Sequence, residues 1–445
     1  MILRSGCLRL LLMLLSLANR VGAGELDDGR LRLIIETDAG GDPDDEQSLV
    51  RFLLYANEFD IEAIIANRPE TRDGENLSPE RTGPGVVRRL IEAYCECWPK
   101  LVQHDPRYPS PEIMRSRTID GTQGSLAGVQ AIIDAVDADD PRPVWYADWG
   151  SDDGSSINNL LRALDVVLQQ RGPDGYARFK SRILLSSNNA FGPHARDIAP
   201  PFPFWVEPFE PEIDRKRWYH RFSAVTETAG GFDLERDVRT GHGPLGALYP
   251  TNTTHRQKEG DTMTFLYLVP TGMNHPLQPG WGSWAGRYGR PDDPDAIPDY
   301  FWANQYDEWN GSSSRENTIA RFAADLQNDF RARLDWCVRP PAEANHPPVL
   351  PLRSPRVMDV SPGSAIVLDA SETSDPDGDS LTFHWWTYRE PGTYTEPPAI
   401  ADANTPVARL TAPADAGELH VVLTVTDGGD PPFSRYSRFV LRVQR

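Results

Sequence analysis

Leu31-Arg-Leu-Ile-Ile-Glu-Thr-Asp-Ala-Gly-Gly-Asp-Pro-Asp-Asp-Glu46 sets five carboxylates, Asp38, Asp42, Asp44, Asp45 and Glu46, in the nine residues 38–46, just beyond the apolar stretch Leu31 to Ile35. Like charges crowded into one turn repel unless a cation gathers them, and hard divalent ions such as Ca²⁺ take several oxygen ligands of this kind. The stretch reads as a strand opening into a helix, with a metal site at the mouth of the turn. Capping explains part of it: Asp42 as N-cap, Pro43 at the first helical position and Asp45 at the third, favoured by the positive end of the helix dipole. That reading leaves Asp38 and the Gly40-Gly41 pair without a reason.

Outward from this turn, short apolar strands alternate with amphipathic helices as far as residue 190. Leu49, Phe52, Leu53 and Ala56 share a helix face; Ile61 to Ala66 reads as a strand, Val86 to Tyr94 as a helix, Leu101 to Gln103 as a short strand and Leu126 to Val136 as a helix. Val144 to Ala147, a helix around Leu160 to Leu168 and the strand Arg182 to Leu185 continue the series. The pattern predicts an α/β fold, a mainly parallel open sheet with helices on both faces. Ligands in such sheets bind beyond the carboxyl ends of the strands. Asp38, Asn67, Asp148 and the run Ser186-Ser187-Asn188-Asn189 each follow a predicted strand and are expected on one rim.

Residues 190–310 are rich in Pro, Gly and aromatics, and Ser314 to Trp336 reads as a closing helix with Ile319, Phe322, Ala323, Leu326 and Phe330 at helical spacing. The expected organisation is an α/β domain over 24–340, a Pro-rich linker over 341–355 and a small all-β unit over 356–445. In the last, Ala365 to Leu368, Leu381 to Trp386, Ala408 to Leu410, Leu419 to Thr426 and Phe439 to Val443 predict an immunoglobulin-like sandwich. Its run Asp375-Pro-Asp-Gly-Asp379 is either a tight acidic turn or a calcium loop.

Residues 1–23 have the layout of an export signal: Arg4 and Arg9, the apolar Leu10 to Leu17, then the small residues Val21-Gly22-Ala23. Export to the periplasm or the medium is therefore expected. The apolar run is too short to span a bilayer, and no longer one follows. Losing this segment removes three arginines and no acid, which moves the net charge from -20 to -23. Such a chain repels nucleic acid and anionic membranes, and a neutral ligand or a cation suits it better. Cys95, Cys97 and Cys337 remain, enough for one disulfide to Cys337 but neither a disulfide framework nor a zinc site.

Two further sets of residues bear on function. Trp205, Trp218, Tyr219, Trp281, Trp284, Tyr288, Trp302 and Trp309 are either sugar-stacking rings, as in a non-catalytic polysaccharide-binding protein, or ordinary core residues. Among the loop histidines His194, His220, His242, His255 and His275, His242 in its Gly-rich turn is the first candidate for a leaving-group acid. Ser186-Ser187 lacks the context of a nucleophile elbow. A structural adhesion protein with the sandwich as spacer is a third reading, disfavoured because the sandwich is not repeated.

The run Glu36 to Glu46 resembles the amino-terminal signature of the nucleoside hydrolases, Asp-Thr-Asp-Pro-Gly-x-Asp-Asp, lengthened through Gly41-Asp42-Pro43. The longer form resembles a secreted branch described as nucleoside-hydrolase-like and cellulose-binding. Gly241-His-Gly-Pro-Leu-Gly246, Glu259-Gly-Asp-Thr262, Gly282-Ser-Trp-Ala-Gly-Arg287, Trp336-Cys337 and the segment Leu368 to Asp379 are similar to that branch as well. The resemblance implies that Asp38, Asp44, Asp45 and Asp261, with the backbone carbonyl of Trp149, surround Ca²⁺. It implies too that Asp38 is the general base and that Asp44, Asn67, Asn188 and Asn189 contact the sugar. The implied reaction is attack of water on an anomeric carbon, with an N-glycosyl, ribosyl substrate. The histidine such enzymes commonly carry before the late aspartate is Gly260 here.

Overall fold

The computed structural model describes residues 29–41, 43–69, 82–150, 158–188, 202–208, 220–251, 257–291, 299–351 and 356–444. Seven strands form one sheet: β1 (Leu31–Thr37), β2 (Phe59–Ala66), β3 (Thr118–Asp120), β4 (Val144–Asp148), β5 (Ile183–Ser187), β6 (Trp205–Glu207) and β7 (Tyr300–Trp302). Their order is β3-β2-β1-β4-β5-β6-β7, and every pairing is parallel. The expected α/β class is therefore the one observed.

Alternation along the central strands explains why both faces are covered. Leu33 and Ile35 enter one apolar core and Ile34 the other; Trp145 and Ala147 divide from Val144 and Tyr146 in the same way. Helices Pro43–Leu54 and Gly83–His104 cover the first face, and Ala127–Asp137 and Asn159–Lys180 the second. The chain order reverses between β1 and β4, the switch point at which a crevice opens beyond the strand ends.

Three local expectations are corrected. Leu101 to Gln103 is the last turn of the helix Gly83–His104, whose Thr82 cap and buried Val86, Val87, Leu90, Ile91, Tyr94 and Leu101 carry it past Pro99; the edge strand is Thr118–Asp120. The closing segment is two helices, Asn317–Ala320 and Ala323–Asp335. The helix expected around 160–168 continues to Lys180 across a kink at Gly172, which precedes Pro173. Cys95, Cys97 and Cys337 are buried free thiols, with the Cys97 and Cys337 side chains in contact.

After a small hairpin, β8 (Asp307–Trp309) and β9 (Ser312–Ser314), six strands build the sandwich. They are β10 (Arg356–Val360), β11 (Ala365–Asp369), β12 (Thr382–Thr387), β13 (Val407–Thr411), β14 (Gly417–Thr426) and β15 (Ser434–Val443). One sheet runs β10-β15-β14-β12 and the other β11-β13. The four-stranded and two-stranded sheets enclose one apolar core as a β-sandwich, with Trp385 of β12 buried against Phe439.

The sandwich packs directly on the α/β layers. Tyr388, Val422, Phe433 and Tyr436 belong to the same apolar core as β1 and the first helix. Polar contacts run through this seam: Asp307 accepts from Arg287 (2.7 Å) and Tyr388 (2.6 Å), Asp329 from Arg333 (2.8 Å) and Arg435 (2.7 Å), and the Tyr436 amide donates to the Thr271 carbonyl. Arg438, fully buried, donates to the carbonyls of Met273 (2.6 Å) and Trp281 (2.7 Å).

Candidate functional site

The turn after β1 is built to bring carboxylates to the switch point. Gly41 N–H donates to the Asp38 carbonyl at 3.0 Å, and Gly40, with φ 94°, takes a conformation that side chains other than glycine's seldom adopt. Pro43 then opens the helix, placing Asp44, Asp45 and Glu46 in its first turn, where the dipole favours anions. Asp42 lies outside the described residues, so its capping role does too. On the far side of the crevice, Asp261 immediately precedes the short helix Thr262–Leu266.

Asp44, Asp45 and Asp261 converge. Each offers a carboxylate oxygen within 4.8 Å of the others, all three residues are buried, and the set can hold a metal ion. Hard, anionic oxygens without sulfur or imidazole suit Ca²⁺ or Mg²⁺ rather than zinc. Burial holds the Asp45 carboxyl well above the ordinary range, and the charges of Asp261 and Asp44 push it further. Hydrogen bonds with Asp38 and with Thr37 Oγ1 (2.5 Å) act in the opposite direction.

Asp38 is adjacent to this set without belonging to it. It hydrogen-bonds with Asp45 and makes an ion pair with Arg68 at 3.4 Å. Gly150 makes room for it: a Cβ there would stand 2.6 Å from Asp38 Oδ1. Trp149 is fixed by its amide to the Glu36 carbonyl and by its indole to Thr264 Oγ1 (2.7 Å), with its ring packed on Phe52 and Phe265. Its side chain therefore serves the core.

Two asparagines complete the rim. Asn67 donates from Nδ2 to Glu36 (3.0 Å), and Asn188 donates to Asp261 (2.6 Å). The Oδ1 of each is buried and has no hydrogen-bond partner among the described residues. A buried acceptor left unmatched is costly, and hydroxyls of a ligand would satisfy both. Asn189 lies outside the described residues. The neighbouring serines are committed elsewhere, Ser186 to the Thr264 carbonyl and Ser187 to the Trp205 indole.

Sequence reasoning passed over three residues. Glu36, fully buried, accepts from Tyr146, Asn159 and Asn67, and burial raises its pKa against the pull of those bonds. A charged residue inside an apolar strand was the available signal. Arg68, which meets Asp38, follows Asn67 directly. Glu259 pairs with Arg51 in a fully buried bridge at 2.5 Å and also receives Tyr249; this anchors the loop that presents Asp261.

Other candidates are placed elsewhere. His242 pairs with Asp335 at the end of the closing helix (3.2 Å), and His275 is buried against Trp281. His194, His255 and the His220 side chain are outside the described residues. Of the eight loop aromatics, Trp205, Trp281, Trp284 and Tyr288 are core residues; Trp302 and Trp309 are half-buried, and Trp218 and Tyr219 are not described. No described helix is long and apolar enough to cross a membrane.

Comparisons with known proteins agree with this architecture. Residues 32–288 match the family described as cellulose-binding Sde182, nucleoside hydrolase-like domain, and residues 365–443 match the cellulose-binding protein Sde0182, C-terminal domain. The chain is similar to the solved structure of a nucleoside hydrolase-related hypothetical protein from Saccharophagus degradans that is associated with carbohydrate metabolism. The two are 30% identical with a TM-score of 0.73, over 94% of this chain and 100% of that one. The PKD domain from KIAA 1837 protein is similar over 20% of this chain and 82% of its own, at 19% identity and a TM-score of 0.16. No curated protein matches the chain.

Proposed function

The chain belongs to the cellulose-binding Sde182 family with its nucleoside hydrolase-like domain, and from that premise we propose that it is an exported, calcium-dependent glycosyl hydrolase acting on N-glycosyl bonds, ribosyl substrates first. The observation that carries this reading is the convergence of Asp44, Asp45 and Asp261 at the switch point, beside two asparagine oxygens that await donors. In this reading Asp44, Asp45 and Asp261 hold Ca²⁺, which supplies Lewis-acid polarisation of sugar hydroxyls and of water. Asn67 and Asn188 accept hydrogen bonds from the sugar and fix its orientation. Asp38 takes the proton of the attacking water, and the buried carboxylates stabilise positive charge that develops at the anomeric carbon.

A second reading is a polysaccharide-binding protein that keeps the site for recognition alone. Arg68 favours it, since its ion pair with Asp38 offsets the charge a base would use. So does Gly260 at the position of the leaving-group histidine. Chelator-treated protein, reloaded with Ca²⁺, should hydrolyse a ribonucleoside set, and Asp38→Asn should abolish turnover while ligand still binds. Binding of cello-oligosaccharides with no turnover in the loaded wild type, unchanged by Asp38→Asn, would leave the second reading standing.

A further inference from the structure

The turn Asp375-Pro-Asp-Gly-Asp379, between β11 and β12, brings carboxylate oxygens of Asp375, Asp377 and Asp379 within 4.8 Å of one another. An acidic turn alone signifies little, because its own amides stabilise it: Asp375 Oδ1 accepts from the N–H of Asp377 (2.9 Å) and of Asp379 (3.0 Å). The informative residue is Asp427, which follows β14 and is only 5% exposed. Its Oδ1 receives Asn345 Nδ2 (3.1 Å), Gly429 N–H (3.1 Å) and Phe433 N–H (3.0 Å). Among the described residues its Oδ2 is buried without a hydrogen-bond partner, and so are Asp375 Oδ2 and Thr373 Oγ1. Burial raises the Asp427 pKa, and the negative charge of Asp375 adds to the rise. Buried carboxylate oxygens without a donor, beside a turn whose three carboxylates already converge, are what a cation would satisfy.

We propose that Asp375, Asp377, Asp379 and Asp427 bind a divalent cation of the Ca²⁺ class, which fastens this end of the sandwich to the α/β layers. The donors are hard oxygens, and more than one is available, as Ca²⁺ requires. The fastening follows from Asn345 and His346. Asn345 holds Asp427 and accepts the Trp336 indole N–H on its carbonyl (2.8 Å). His346 donates its amide to Asp377 (2.7 Å), stacks on Trp336 and meets His104 at 2.9 Å. The site is thus one contact away from the ends of the helices Ala323–Asp335 and Gly83–His104.

The inference is independent of the rim site, and the test separates them. In the full chain, Asp45→Asn/Asp261→Asn silences the rim, and equilibrium dialysis after chelation should still find one Ca²⁺ per chain. Its dissociation constant should be on the order of 10⁻⁴–10⁻³ M, the range of extracellular modules. Adding Asp375→Asn/Asp427→Asn should remove that ion together with the thermal shift it causes. Asp377→Asn, an exposed change that keeps an acceptor oxygen for the His346 amide, should weaken it about tenfold. No ion bound by the rim-silenced chain up to about 10 mM Ca²⁺, or binding that survives Asp377→Asn and Asp375→Asn/Asp427→Asn undiminished, would overturn the proposal.

Discussion

Asp329 in the seam and Asp45 on the rim are both buried carboxylates, and their surroundings differ in sign. Burial pushes Asp329 upward, but Arg435 and Arg333 more than reverse it, and its pKa lies below the usual value. Burial pushes Asp45 upward, and Asp261 and Asp44 add to the rise. The chain supplies the seam's cations from its own arginines. At the rim it concentrates negative charge, an arrangement suited to a cation from solution.

Substituting each residue by its amide breaks this contrast in opposite directions. Asp329→Asn leaves Arg333 and Arg435 facing a neutral group and should cost about 3–5 kcal/mol, as breaking buried pairs does; urea unfolding measures it. Ca²⁺ at a hundredfold excess over its dissociation constant should stabilise the wild type by about 2.7 kcal/mol. Asp45→Asn should lose that response, and an undiminished calcium shift in the variant would sink the rim reading.

In chelator, Asp45→Asn should instead stabilise the chain, because the amide removes a buried carboxyl that Asp261 and Asp44 keep from ionising freely. The pH dependence has a definite sign. With its pKa raised in the folded chain, Asp45 holds a proton that the unfolded chain releases, so wild-type stability falls as pH rises from the ordinary 3.8 through the raised value. The gain from Asp45→Asn should therefore widen with pH over that window and level off above it. A gain that is constant or shrinks contradicts the assignment. The smallest effect is expected from Asn67→Ala, about 1 kcal/mol through the lost bond to Glu36, with a roughly fivefold weaker saccharide affinity in the calcium-loaded protein.

How much of this was legible follows from how local each signal is. Leu31 to Ile35, Arg32 apart, and Val144 to Ala147 announce buried parallel strands, because a strand covered on both faces is apolar at nearly every position. Asp44 and Asp45 are legible because a helix N-terminus selects them in sequence. Asp261 needed the family motif, since nothing near residue 261 reveals that it crosses the crevice. Arg68 was missed because its meaning depends on Asp38, thirty residues away at the end of the neighbouring strand. The Leu101 to Gln103 error has the opposite cause, an apolar triplet read by itself when the helix before it had no reason to stop.

The seam also limits how such a chain can be rearranged over evolution. A sandwich moved onto another α/β partner would carry Tyr388, Arg435, Tyr436 and Arg438 outward as a ready-made socket. That socket would have value only where a surface like Asp307, Asp325, Asp329 and the Met273 carbonyl came with it. The two halves are heritable as a pair, and gene shuffling that separates them meets a penalty which grafting a freely tethered module would escape.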